Sequence, residues 1–193
     1  LTAAAENHGV LTECYRSLGD VPDDFAFALI AGFAEGSRIR KVDFTTVVDA
    51  QPAMASRIAS ALEIAEKSDA PLTARLQALQ LLKYRPFAEA RPRLLALVEP
   101  AQPADIRVAA VRQLCASADP SIPTDLITRW RQFSPIVREA AIEGLLARAI
   151  WHDAVLEAME NRLIIPSEIP SGRRRLLLSS ANTEIAARAE KLL

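Results

Sequence analysis

Aromatic side chains make up 5% of this 193-residue chain, and glycine occurs six times. With aromatic residues this sparse, a core built from strands is not expected. There is no basic excess either. Lys and Arg number 23 against 24 Asp and Glu, a formal net charge of −1, which is poorly suited to neutralising the phosphates of a nucleic-acid partner. Cys14 and Cys115 are the two cysteines. Neither sits in a CxxC, CxxCH or zinc-ligand spacing, so both read as structural thiols. No run approaches the roughly 18 apolar residues that a membrane span needs, so direct membrane insertion is not expected. The opening Leu1-Thr2-Ala3 has neither an initiating Met nor a basic n-region, and the closing Lys191-Leu192-Leu193 ends on an apolar pair. The chain is therefore expected to be a segment of a longer protein, whose export these residues do not report.

Half of the residues are hydrophobic, and Ala and Leu, both strong helix formers, supply most of them. Apolar positions recur at helical spacing, with breaks at clusters such as Leu18-Gly19-Asp20-Val21-Pro22-Asp23 and Glu99-Pro100-Ala101-Gln102-Pro103. The pattern predicts helices near 2–18, 23–36, 43–49, 52–67, 71–84, 91–99, 103–117, 123–132, 135–148, 151–163, 171–179 and 182–193. Pro71, Pro103 and Pro135 are expected in first turns, Pro92 as the opening of its own helix, and Ser134 and Asn182 as N-caps.

Three of these helices share a template. Arg75, Arg107 and Arg138 are each followed by an Ala three residues later (Ala78, Ala110, Ala141), an aliphatic residue four later (Leu79, Val111, Ile142) and a Leu seven later (Leu82, Leu114, Leu145). The spacings of about 31 and 32 residues fall in the range of stacked repeats. A second amphipathic helix follows each, marked by Leu94, Leu95 and Val98, then Leu126, Ile127 and Trp130, then Val155, Leu156 and Met159. The predicted fold is all-α, an α-α superhelix or solenoid of the HEAT/armadillo kind. Residues 1–69 match poorly and are read as degenerate repeats or a cap, with Arg57-Ile58-Ala59-Ser60-Ala61-Leu62 a partial echo; residues 70–193 carry the repeats. The small residue after each Arg lets helices approach closely. The Arg itself is expected to satisfy loop carbonyls or an acid such as Asp105 or Glu139.

Candidates for chemistry are few. His8 and His152 are the two histidines, and no HExxH, His/Cys cluster or GxSxG accompanies them, so surface or capping roles are expected. Asp23-Asp24 suits a helix N-terminus, and Glu157 with Glu160 reads as a solvated face. Gly32 and Gly36 lack the rest of a phosphate loop. The one concentrated charge is Arg173-Arg174-Arg175. It is the candidate partner contact, although a solvated helix face explains the same letters. Arg129-Trp130-Arg131 is similar, with Trp130 assigned to the core.

Leu81-Leu82-Lys83-Tyr84-Arg85-Pro86-Phe87, Glu99-Pro100-Ala101-Gln102-Pro103, Ser134-Pro135-Ile136-Val137-Arg138, Arg148-Ala149-Ile150-Trp151 and Glu184-Ile185-Ala186-Ala187-Arg188-Ala189, with Ile30-Ala31-Gly32-Phe33-Ala34-Glu35-Gly36, resemble the helical region of planctomycete and verrucomicrobial membrane-bound dehydrogenase/haem-binding proteins. The resemblance implies a β-propeller, sugar-dehydrogenase-like domain before the repeats and a c-type cytochrome domain after them, in a protein exported to the periplasm or associated with the membrane. It implies haem c for that larger protein. No cofactor and no catalytic or metal-binding residue carries over to this segment, which lacks CxxCH. The expected role is a non-catalytic scaffold or spacer whose partners are proteins, the flanking domains among them. The alternatives are a HEAT-like DNA-binding enzyme of the alkylpurine glycosylase type, which needs a basic groove with a central acid, and a regulator resembling phycobilisome-lyase-type HEAT proteins.

Overall fold

The computed structural model describes residues 21–39, 44 and 52–193. The helix expected over 2–18, His8 and Cys14 lie outside the described residues, as does all but Phe44 of the helix expected over 43–49. Among the described residues there are ten α-helices and no strand, so the chain is all-α. The helices are α1 (Asp23–Ile39), α2 (Pro52–Glu66), α3 (Leu72–Leu81), α4 (Phe87–Val98), α5 (Ala104–Ala116), α6 (Ile122–Thr128), α7 (Pro135–Leu146), α8 (His152–Glu160), α9 (Ser171–Leu178) and α10 (Thr183–Leu192). Short 3-10 turns stand at Leu82–Tyr84, Trp130–Gln132, Ala149–Trp151 and Pro166–Glu168. The described residues form two compact units, one ending at Arg93 and the other spanning Leu94–Leu193.

In the first unit α1, α2 and α3 pack against one another around Phe27, Ile30, Met54, Ile58 and Leu79, all essentially inaccessible to solvent. Arg57 ties the start of α1 to α2 by pairing with Asp23 and donating to the Val21 carbonyl at 2.8 Å. Phe44 meets Tyr84 edge-on, ring centroids 4.7 Å apart.

The second unit is a two-layer stack. Helices α5, α7 and α9 contact in sequence along one layer, and α6, α8 and α10 along the other, with each pair α5/α6, α7/α8 and α9/α10 also in contact. Neither layer could bury its apolar stripe alone, and stacking consecutive pairs supplies the missing face. The template residues do this as expected: Ala110, Ala141, Val111, Ile142, Leu114 and Leu145 are all fully buried.

Several local expectations are corrected. Helix α4 begins at Phe87, so Pro92 lies inside it instead of opening it. The neighbouring Pro86 supplies the start, its carbonyl accepting from the backbone N–H of Glu89 and Ala90. Pro71 and Pro103 are N-cap residues, one place ahead of the first turn, with φ near −55° and extended ψ; Pro135 occupies the first turn. Ser134 is the N-cap residue of α7 by position, but its hydroxyl is buried without a partner and caps nothing. Asn182 does cap α10, its Oδ1 accepting from Glu184 and Ile185 N–H at 3.0 and 3.4 Å. The chain leaves α8 through Arg162 at φ 57°. There Leu163 N–H reaches the Ala158 carbonyl and Arg162 N–H the Met159 carbonyl, both at 2.9 Å, a Schellman closure in which glycine is the usual residue.

Candidate functional site

The recurrent arginines are structural rungs. Each stands at the fourth helical position, its backbone N–H bonded to the carbonyl of the N-cap residue: Arg75 to Pro71, Arg107 to Pro103, Arg138 to Ser134 and, as a fourth member, Arg174 to Pro170. Each also sends its side-chain Nε to a carbonyl near the end of the preceding element: Ala65 at 2.9 Å, Val98 at 2.8 Å, Trp130 at 3.3 Å and Ile169 at 2.9 Å. The Ala65 and Val98 carbonyls lie in the last turn of their α-helices, where they have no partner within the helix and carry the negative end of the dipole, so a guanidinium is the complement they need; those of Trp130, which also accepts from Phe133 N–H, and Ile169 lie in the turns before α7 and α9. The rungs then reach forward. Arg107 donates from Nη2 to Gln132 O at 2.8 Å, and Arg138 from Nη1 to Glu168 Oε1 at 2.5 Å. Glu168 in turn accepts from Trp130 Nε1 at 3.2 Å and from Ile165 N–H at 3.0 Å. The expectation of loop carbonyls is met, while the acid engaged by Arg138 is Glu168, not Glu139.

The Arg173-Arg174-Arg175 run divides by face. Arg174 is a rung and also donates to Pro166 O at 3.0 Å. Arg175 is exposed. Arg173 lines a groove of about 640 Å³ on the second unit, together with Arg112 of α5 and Arg148. The lining holds three arginines and a single acidic residue, Glu143, which pairs with Arg173 at 3.2 Å. Arg148 is held in place by the last carbonyls of α5, Cys115 O at 3.2 Å and Ala116 O at 2.6 Å, and lies 5.2 Å from the Trp151 ring centroid. Arg112 is exposed and has no hydrogen-bond or ion-pair partner among the described residues.

The floor of the groove is made of small residues, Ala140, Gly144 and Ala147 of α7 and its C-cap beside Cys115 and Ala116 of α5. Gly144 is what lets the two helices come so close. A Cβ at that position would lie 2.4 Å from Cys115 Sγ and 2.6 Å from Cys115 Cβ, well inside van der Waals contact. Burial pushes the Cys115 thiol up to about 12, with the Arg148 charge opposing more weakly, which disfavours the thiolate form. Sequence reasoning did not single out Arg112, Arg148 or Gly144. The signal for Gly144 was its place as a lone glycine inside a helix otherwise rich in Ala, Leu and Ile, where it costs stability unless something needs the space.

His152, expected at the surface or as a cap, is buried, its Nε2 donating to Leu146 O at 3.1 Å and its Nδ1 left without a partner. Glu160, expected on a solvated face, receives both ends of Arg188 at 2.8 and 3.0 Å, and Arg188 pairs with Asp153 as well. Among the described residues no three His, Cys, Asp or Glu side chains are placed to hold a metal ion, and no helix is long and apolar enough to cross a membrane.

The chain matches no protein-family model, no characterised protein and no solved structure.

Proposed function

We propose that this chain is a non-catalytic HEAT-repeat scaffold and protein-interaction module, and that it spaces a dehydrogenase-like domain from a c-type cytochrome domain in a larger exported redox protein. The observation that carries the module reading is the arginine ladder. Arg107 and Arg138 each join the turn before their own helix to the turn of the following pair. Long-range ties of this kind make consecutive repeats stiff, which is what a spacer requires. The polar groups so used are committed to the stack and not to a substrate. The domain context rests on the resemblance of the repeat strings alone.

The glycosylase alternative is less well supported. The basic groove with a central acid that it needs is supplied by Arg112, Arg148, Arg173 and Glu143, but no aromatic ring lines that groove to hold a flipped base, and both tryptophans, Trp130 and Trp151, are buried. The test compares a chain extended on both sides with the 193-residue chain, assaying haem content and electron transfer. Haem and turnover in the extended protein with a folded, inert 193-residue chain is the expected result. Haem binding or turnover by the 193-residue chain alone refutes the module reading, and absence of haem from the extended protein refutes the redox context.

A further inference from the structure

We infer that the groove between α5, α7 and α9 docks an extended acidic peptide segment of a protein partner, with Arg112 and Arg173 receiving its carboxylates. This deepens the interaction-module reading and rests on it. Three features select the ligand. The groove holds about 640 Å³, enough for a few residues of extended chain, and its Ala and Gly floor allows a peptide backbone to approach without meeting long side chains. Its charge is lopsided, three arginines to one acid, in a protein of net charge −1. The positive sign is thus local, as electrostatic complementarity to one partner segment requires. Finally, the Arg173–Glu143 pair shows the recognition chemistry already operating within the chain: a carboxylate from a neighbouring helix occupies one arginine, while Arg112 has no such partner among the described residues. No aromatic side chain lines the groove, so it offers no stacking platform for a nucleobase, and this favours a peptide over single-stranded nucleic acid.

Fluorescence anisotropy with a short fluorescein-labelled peptide alternating Glu and Gly, on the whole 193-residue chain at low salt, tests the assignment. The matched Gln–Gly peptide and an oligothymidylate of similar length run alongside. Binding of the Glu–Gly peptide is expected to weaken with salt. Arg112→Glu is expected to weaken it about tenfold or more, since the substitution removes a charge-assisted hydrogen bond and puts a repelling carboxylate in its place. Arg131→Glu, an exposed position outside the groove lining, leaves affinity unchanged. Glu143→Gln frees Arg173 and tightens binding roughly threefold, a gain that damage to the fold would not produce. Equal affinity for the Gln–Gly peptide, or full retention of Glu–Gly binding by Arg112→Glu, overturns the inference. Tighter binding of the oligothymidylate overturns the choice of a peptide. Failure of the acidic peptide with a folded, inert chain removes the groove assignment and leaves the module reading standing; turnover or haem binding by the chain removes the module reading whatever the peptide does.

Discussion

Replacing Gly144 by alanine tests the packing of the second unit at its tightest point. In an unencumbered helix the change stabilises by about 0.5–1 kcal/mol, because glycine loses more backbone freedom on folding than alanine does. Here the new methyl would sit 2.4 Å from Cys115 Sγ and 2.6 Å from its Cβ, so α5 and α7 must separate by on the order of 1 Å to restore van der Waals distance. Separation loosens the packing of Val111 and Leu114 on one helix and Ile142 and Leu145 on the other, all fully buried. Overpacking of this kind costs about 1–3 kcal/mol, which exceeds the helix gain, and a net loss of roughly 1–2 kcal/mol follows. Both tryptophans of the chain, Trp130 and Trp151, are buried in this unit, so urea unfolding followed by tryptophan fluorescence reads it selectively. Gly172→Ala is the control, since a Cβ there meets nothing within 4 Å, and its midpoint should hold or rise slightly. Adding Cys115→Ala to Gly144→Ala removes the sulfur but leaves the Cβ overlap, so the rescue is partial and the two changes are non-additive. A Gly144→Ala midpoint at or above the wild type, or strict additivity with Cys115→Ala, refutes the close-approach argument.

Arg107→Met should lower the stability of the second unit by roughly 2–4 kcal/mol, because the carbonyls of Val98 and Gln132 lose a charged donor, whereas the exposed Arg112→Ala should stay within about 0.5 kcal/mol; equal urea midpoints for the two would count against the ladder. The hydrogen bond from Arg188 holds the Glu160 carboxyl below its ordinary 4.5, with burial opposing. A lowered folded pKa contributes stability above the unfolded value and loses it as pH falls through the folded one. The melting-temperature difference between wild type and Glu160→Gln should therefore be present at pH 6 and close below 4.5, and a difference independent of pH would rule this out. With its thiol pushed up to about 12, Cys115 should resist iodoacetamide at pH 8 in the folded chain and react readily in urea, as read by peptide mapping that separates it from Cys14; equal rates in both states would contradict the packing role. Arg162→Gly relieves a left-handed backbone (φ 57°) and should raise the melting temperature, by about 1 kcal/mol in stability; a fall would mean that the side chain matters more than the conformation.

The all-helical class and the helix-pair organisation are legible because apolar spacing and the Arg–Ala–aliphatic–Leu template report burial directly, and Ala78, Ala110 and Ala141 are indeed at zero exposure. Sequence reasoning goes astray where one letter serves two geometries. Pro92 has the residue type of a helix start, but Pro86 has already begun the helix. Ser134 has a capping side chain by type, yet burial leaves its hydroxyl unused. Of the groove only Arg173 is legible, as one residue of the basic run. Arg112, Glu143 and Arg173 come from three helices, and no periodicity within one helix brings them to one mouth.

A fourth repeat escapes the template for a related reason. Keyed to an Ala three residues after the Arg, the template fails at Arg174, where Leu177 occupies that place and is itself fully buried. Keyed to the N-cap, it holds: Pro71 to Arg75, Pro103 to Arg107 and Pro170 to Arg174 are each four apart, and Ser134 to Arg138 repeats the interval. The N-cap is the better register because it is fixed by backbone geometry. It has extended ψ in all four cases, while the residue three after the Arg answers only to how near the next helix lies. Helical rotation of about 100° per residue then assigns the three arginines of the run to different faces. Arg174 turns toward the carbonyls of Ile169 and Pro166, Arg173 toward Glu143 and the groove, and Arg175 outward. Three like charges in a row therefore never act as one site here. Counting the run as a single basic patch would predict similar effects from each substitution, whereas Arg174→Ala should be felt in stability, Arg173→Ala in acidic-peptide affinity, and Arg175→Ala in neither.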